Sequence, residues 1–401
     1  MREHRRFLAW FALFLGLLGL VPALNYALVW QAGELLPLGP LVRLQHETRA
    51  IYGTGLHDNR REHRIEIVRQ RQPEVIALGS STALDMRQEY FTRPFACACQ
   101  AMDSIDDGEV FVEAMLRAAR PKVVLFALDF WWFTTRRPQI REPLRTDGAV
   151  QMTRRKLQRP TDWLREGTLS FEDYLRLLAG ARDLGGATRH PKVGVMAIKR
   201  DLGIRADGSE MSGIRLTPAA FDFYAKARAE IGEAPAFVLR NPGTRFGPDN
   251  ALVPERLAAL RRVLDRLEAA GAKTVLLLPP VAPPLVRAMA ASARHGYLRQ
   301  LDRQLVALGV EYYNFQDPAT LGAADLCEFA DYNHSGNTMH MRMLQAVLQR
   351  NPASALAPYV DRARIAAGIR RFAGRTVASF DDEALAGEVD YLGAGCRRGT
   401  N

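Results

Sequence analysis

Short, mostly apolar runs recur along this chain, three of them ending in glycine, aspartate or proline, with stretches of helical spacing between them. That alternation leaves few folds open. The runs are Glu74-Val-Ile-Ala-Leu-Gly79, Lys122-Val-Val-Leu-Phe-Ala-Leu-Asp129, Thr274-Val-Leu-Leu-Leu-Pro279 and Val310-Glu-Tyr-Tyr-Asn-Phe315. The first reads as a buried strand, and the second is continuous enough to be covered on both faces, as in parallel sheets. Helices are predicted over 82–90, over 108–120 up to Pro121, over 253–270, over 296–308 and over 338–350. In the third of these Leu257, Leu260, Leu264 and Leu267 lie along one side and Gly271 marks the end. Strands alternating with helices predict an α/β fold, a three-layer sandwich around a parallel sheet.

Outside the alternation the chain changes character. Arg2, Arg5 and Arg6 precede a run without charge from Phe7 to Trp30. About 20 apolar residues span a bilayer as a helix, and basic residues before the run place that side in the cytoplasm. Residues 1–30 therefore read as an N-terminal transmembrane anchor. The competing reading is a cleaved signal peptide, with Val21-Pro22-Ala23 near a cleavage point. The run exceeds the usual signal core of about 7–15 residues, which favours an anchor that stays. The expected location is then the inner membrane, single-pass, with the remainder in the periplasm. Residues 31–70 read as a stalk and domain entry. Residues 71–350 form the α/β domain, with an insertion at about 131–250, and 351–401 form a C-terminal tail. Net charge is +10, and from Arg136 to Glu166 nine Lys/Arg stand against four Asp/Glu. Such a face attracts anionic lipid or anionic polymer, although a solvated surface is the plainer reading. No nucleic-acid-binding motif accompanies the charge.

The four cysteines, Cys97, Cys99, Cys327 and Cys396, suit an oxidising compartment, and their pairing is open. Cys97-x-Cys99 lacks zinc-site spacing and no second pair follows, so no metal is expected. No glycine-rich dinucleotide fingerprint follows the strand at 74–79, and no cofactor is expected. His57 and His63 read as surface residues.

In open parallel sheets ligands bind beyond the carboxyl ends of the strands. The groups expected there are Gly79-Ser80-Ser81, the stretch Gln100-Ala-Met-Asp103-Ser104, Asp129, and Phe329-Ala-Asp331-Tyr-Asn-His334-Ser-Gly336. A serine hydroxyl needs a base to take its proton. Histidine oriented by a carboxylate is the usual base, and Asp331-x-x-His334 offers both in one loop. Taken alone, Gly-Ser-Ser is ordinary turn chemistry and Asp-x-x-His an ordinary cap. At the correct ends of one sheet they form a candidate triad of Ser81, Asp331 and His334. The Gly-x-Ser-x-Gly elbow of α/β-hydrolases is absent, because Thr82 and Ala83 follow Ser81.

These blocks resemble the SGNH (GDSL-like) hydrolase superfamily, a flavodoxin-like fold. "VIALGSST" is similar to its first block and "DYNHSGN" to its last. The anchor and the Gly-Ser-Ser form resemble the membrane-anchored branch of the alginate O-acetylation and lipoteichoic acid D-alanylation proteins. The resemblance covers roughly 70–130 and 250–350. It implies Ser81 as nucleophile, His334 as base and Asp331 as its orienter. It also implies oxyanion or substrate-binding groups among Ser80, Ser104, Asp129 and Asp103. Two departures stand out. The second block has Ser104 as the nearest match to the expected glycine, and Asp129 occupies the place of an asparagine. An ionised carboxylate accepts hydrogen bonds and donates none.

The function this implies is O-acyl transfer, with acetyl as the expected group, from an acyl-serine to a cell-envelope polysaccharide. A membrane-bound O-acyltransferase is the implied partner. An esterase using the same triad is the alternative, as is a non-catalytic scaffold that binds polymer or membrane enzyme.

Overall fold

The computed structural model of the chain describes residues 2–56, 59–134, 144, 152–184, 188–212, 221–240, 244–323, 325–378, 380 and 392–396. Its centre is a five-stranded sheet in which every neighbouring pair is parallel. The strands are β1 (Val75–Gly79), β2 (Phe95–Cys99), β3 (Val123–Ala127), β4 (Lys273–Leu278) and β5 (Glu311–Asn314), in the spatial order β2-β1-β3-β4-β5. The first three strands are buried along their whole length, which the unbroken apolar sequence of β1 and β3 predicts. The result is an α/β fold compatible with a three-layer sandwich.

Four of the strands fall where the apolar runs place them. β2 ends just before Gln100–Ser104, the stretch expected at a strand end, but it does not stand out as a run of its own, because Phe-Ala-Cys-Ala-Cys carries only one residue of high strand propensity. Cys97 and Cys99 are two apart and share one face of that strand. They form a disulfide with each other, and Cys327 pairs with Cys396. Helices occupy Ile105–Ala118, Pro254–Ala269, Gly296–Val306 and Asn337–Arg350, close to expectation. The helix predicted over 82–90 is instead two 3-10 turns, Ser81–Ala83 and Gln88–Tyr90. The residues between are tied to remote segments. Arg87 donates to the Ala378 carbonyl at 2.7 Å, and Asp85 accepts from Asn337 Nδ2 at 3.0 Å. These tertiary bonds override a helical preference.

The segment read as stalk and domain entry is folded throughout its described length. Leu38–Thr48 and Arg60–Arg71 are helices. Ile51–Tyr52 joins Lys192–Val193, Leu202–Ile204 and Glu210–Ser212 of the insertion in a second, four-stranded sheet. Buried Glu34 stitches the two regions together by accepting from Thr54 Oγ1 and from the Gly55 and Val195 N–H groups. His63 is not on the surface. It is 1 % exposed and pairs with Gln45 Oε1 at 2.8 Å, while His57 lies outside the described residues.

Phe7–Trp30 belongs to a 30-residue helix, α1 (Arg2–Gln31). Ala9, Ala12, Leu13, Leu15, Leu17 and Leu18 have side chains outside the described residues. Among the described residues no helix is long and apolar enough to cross a membrane, so the transmembrane reading gains no support from the fold. What is described is a helix with its far end exposed, including Phe7, Trp10, Phe11 and Phe14, and its near end packed on the body.

Candidate active site

The strand order reverses at β1. The chain steps from β1 to β2 on one side and then crosses to β3 on the other, and a crevice opens at the carboxyl ends of strands where order reverses in this way. Both Gly79-Ser80-Ser81, leaving β1, and Asp129, leaving β3, arrive there.

Gly79 has φ +151°, and a Cβ built on it would meet the Ala127 carbonyl at 2.9 Å. Any side chain would push β1 and β3 apart, so only glycine lets the chain turn here. Ser80 then caps the turn Ser81–Ala83, accepting from the Thr82 N–H at 3.2 Å. The cap aims Ser81 outward. Its Oγ lies 2.7 Å from His334 Nε2.

His334 sits in a hairpin closed by the bridge between Phe329 and Ser335. Asp331, buried at its tip, accepts from His334 Nδ1 at 2.6 Å, from the His334 N–H at 2.8 Å and from the Asn333 N–H at 2.9 Å. Burial pushes the Asp331 carboxyl up. The His334 charge and these donors outweigh it and hold the group below its usual range. An ionised carboxylate only accepts, so Nδ1 carries the proton and Nε2 presents its lone pair to Ser81. The hairpin is itself pinned. Glu328 takes Arg342 through both carboxylate oxygens, and the Cys327–Cys396 disulfide ties it to the tail. At Gly336 a Cβ would strike the Thr376 carbonyl at 2.0 Å, which lets the tail run against the start of the Asn337–Arg350 helix.

Asp129 is 3 % exposed and accepts from Thr82 Oγ1 at 3.0 Å and from the Ser80 hydroxyl. Burial pushes its carboxyl up to about 6, against the pull of those two hydroxyls and of the Arg245 and His334 charges. Arg245 lies over the Trp131 ring at 4.5 Å. Ser80, Thr82 and Asp129 thus form a second polar network directly beside the serine turn.

The structure brings Ser81, His334 and Asp331 together, with Ser80 and Asp129 alongside. Ser104 and Asp103 stand differently. Ser104 caps the Ile105–Ala118 helix, accepting from the Asp107 N–H and donating to Asp107 Oδ2, so its hydroxyl is spent on the cap. Asp103 is exposed. Three residues were missed in the sequence. Thr82 and Arg245 act on Asp129. Asn333 is buried, with neither side-chain polar atom hydrogen-bonded among the described residues. It lines a cavity of about 10 Å³ shared with Thr82, Asp129 and Gln316. For Thr82 and Asn333 the signal was adjacency to the motifs, and for Arg245 there was none. Among the described residues no group of three His, Cys, Asp or Glu side chains is placed to hold a metal ion.

No family model matches the chain, and no curated protein or solved structure matches it either.

Proposed function

We propose that this protein is a membrane-attached O-acyltransferase of the SGNH type, working through an acyl-serine at Ser81. The observation that carries the reading is the continuous relay of Ser81 Oγ to His334 Nε2 at 2.7 Å and His334 Nδ1 to Asp331 at 2.6 Å. The strand order β2-β1-β3-β4-β5, that of flavodoxin-like sheets, supports the same family, as do the two motif blocks.

In this reading Oγ attacks the acyl carbonyl carbon as His334 Nε2 takes the hydroxyl proton. The oxyanion collapses, the bond to the donor's leaving group breaks, and that group takes the proton from Nε2. An acceptor hydroxyl, for which we propose a sugar of a cell-envelope polysaccharide, then gives its proton to His334 and attacks the acyl-serine. The product ester leaves and Ser81 regains its proton. The Ser81 N–H, at the start of a 3-10 turn, is an oxyanion donor the turn leaves available. Asp129 beside it is not a donor while ionised. With water as acceptor the same steps give an esterase.

Attachment to the membrane rests on the charge-free run Phe7–Trp30, the exposed aromatic side chains of α1 and the arginines before it. The periplasmic location and a membrane-bound O-acyltransferase as acyl donor belong to the same proposal.

The test is covalent labelling. A serine-directed fluorophosphonate should label Ser81, and an activated acetyl ester should leave one acetyl group on the peptide that contains it. Ser81→Ala should lose both. Ser80→Ala should keep both, since the Ser80 hydroxyl faces Thr82 and Asp129. Labelling that survives Ser81→Ala would defeat the proposal. Whether the acetyl group then passes to water or to added polysaccharide separates hydrolysis from transfer.

A further inference from the structure

Asn25 marks the point where α1 leaves the body of the protein. It is 2 % exposed and its side chain is saturated. Nδ2 donates to the Leu157 carbonyl at 3.0 Å and to Thr161 Oγ1 at 2.9 Å, and Oδ1 accepts from Tyr174 OH at 2.8 Å. Leu157 and Thr161 belong to α2 (Arg154–Arg165) and Tyr174 to α3 (Phe171–Leu178). Below Asn25, Leu28 and Val29 of α1 join Trp163, Leu169, Tyr174 and Leu177 in one core cluster. Above it, the described side chains of α1 are largely exposed.

The faces that α2 and α3 turn beside this exit are unusual for a wetted surface. α2 carries five Lys/Arg and one acidic residue, Asp162. Arg154, Gln158, Thr161 and Arg165 follow the i, i+4, i+7, i+11 spacing of a single helical row. Thr161 of this row touches α1 at Asn25, and Arg165 at its end also pairs with Asp162 at 3.5 Å. Arg154, Arg155 and Arg165 are exposed. On α3, Phe171 and Leu175 are one turn apart and 68 % and 49 % exposed. They share a side next to Tyr174, the residue that holds Asn25. Basic side chains, exposed phenylalanine and leucine, and an apolar helix therefore converge on one place. Interfacial helices combine these features, with guanidinium groups on lipid phosphates and apolar side chains at the edge of the acyl region.

We propose that α2 and α3 form a second contact with an anionic bilayer surface. Arg154, Arg155 and Arg165 bind lipid phosphates, and Phe171 and Leu175 enter the interface beside the point where α1 emerges. This rests on the reading of α1 as the membrane attachment, and the experiment separates the two. All four cysteines are paired, so one added cysteine can be spin-labelled alone. The full chain carrying Phe171→Cys or Phe11→Cys is reconstituted in vesicles of phosphatidylcholine, with or without phosphatidylglycerol. Collision with oxygen and with a water-soluble nickel chelate then reads the depth of each label.

The Phe11 label should be buried in both lipids. The Phe171 label should be shielded from nickel only when phosphatidylglycerol is present. Arg154→Gln, Arg155→Gln and Arg165→Gln together should release it without moving the Phe11 label, each lost charge weakening the contact about fivefold. A Phe171 label open to nickel in both lipids, with Phe11 buried, would overturn the docking surface and leave the attachment standing. A Phe171 label equally shielded in both lipids and indifferent to the Gln substitutions would overturn the phosphate contact. Both labels open to nickel would overturn both readings.

Discussion

Replacing Asp129 by asparagine removes the buried acid that takes Ser80 and Thr82 and keeps its shape. In the fold this carboxyl titrates near 6, against 3.8 for a free aspartate, chiefly because it is buried. A raised carboxyl favours the folded state only while it is protonated. The stability is therefore whole below about pH 3.8 and is lost as pH rises to 6. About two pKa units correspond to about 3 kcal/mol, felt in full at pH 8, about half at pH 5 and only slightly at pH 4. Asp129→Asn never ionises, so it should melt above the wild type at pH 8 by several degrees, with the gap closing toward pH 4. Its Oδ1 can still accept from Thr82 or Ser80. Its amide also supplies a hydrogen-bond donor beside Ser81, where one oxyanion donor is worth about 10²–10³ in rate. Acetylation of Ser81 at pH 8 should rise at least about tenfold. Calorimetry across pH and stopped-flow acylation measure the two effects. Equal melting of both proteins at pH 8, or a gap that does not change with pH, would refute the burial argument. A stability gain without a rate gain would show that the amide does not reach the oxyanion.

Other outcomes follow from the same geometry. Asp331→Asn should lower acylation by about 10⁴, because an amide no longer holds the Nδ1 proton against the ring, and fluorophosphonate labelling rates would show it. Gly79→Ala places a methyl group against the Ala127 carbonyl at a positive φ. It should cost more than about 1 kcal/mol in denaturant titration and slow labelling further by shifting the Ser81 turn. Paired Cys327→Ser and Cys396→Ser opens a loop of 69 residues, which should lower stability by about 4 kcal/mol. Amide exchange over 328–336 should rise with it.

Most of the sheet was legible because β1, β3 and β4 are nearly unbroken apolar runs. β2 was not, because alanine and cysteine fill it where valine and isoleucine would announce a strand. The triad residues were legible because Ser81 directly follows a strand and Asp331 and His334 share one loop before the last helix of the alternation, and a serine, a histidine and a carboxylate so placed imply a relay. Ser104 shows the opposite case. A serine before a helix reads identically whether it caps the helix or donates to substrate, and only the Asp107 N–H bound to it decides. Arg245 draws its role from Asp129 and Trp131, far away in the chain, and His63 is buried by Gln45 and Tyr52 of the preceding segment, a packing that its own sequence does not announce. Arg136 and Arg137 lie outside the described residues.

Ser81 and His334 are 253 positions apart, and the contacts that brace the hairpin, Thr376 and Cys396, come later still. Translation is vectorial, at about 5–20 residues per second. The serine is therefore made some 10–50 s before its base, on the order of that rate. A growing chain carries an ordinary alcohol there, inert toward any acyl donor it meets. On the proposed chemistry, the Ser81–His334 relay exists only after position 334 has been made, and the residues that brace the hairpin, Thr376 and Cys396, are made later still. If Ser81 works as proposed, the order of synthesis alone keeps the acyl-serine chemistry from any chain that ends before position 334.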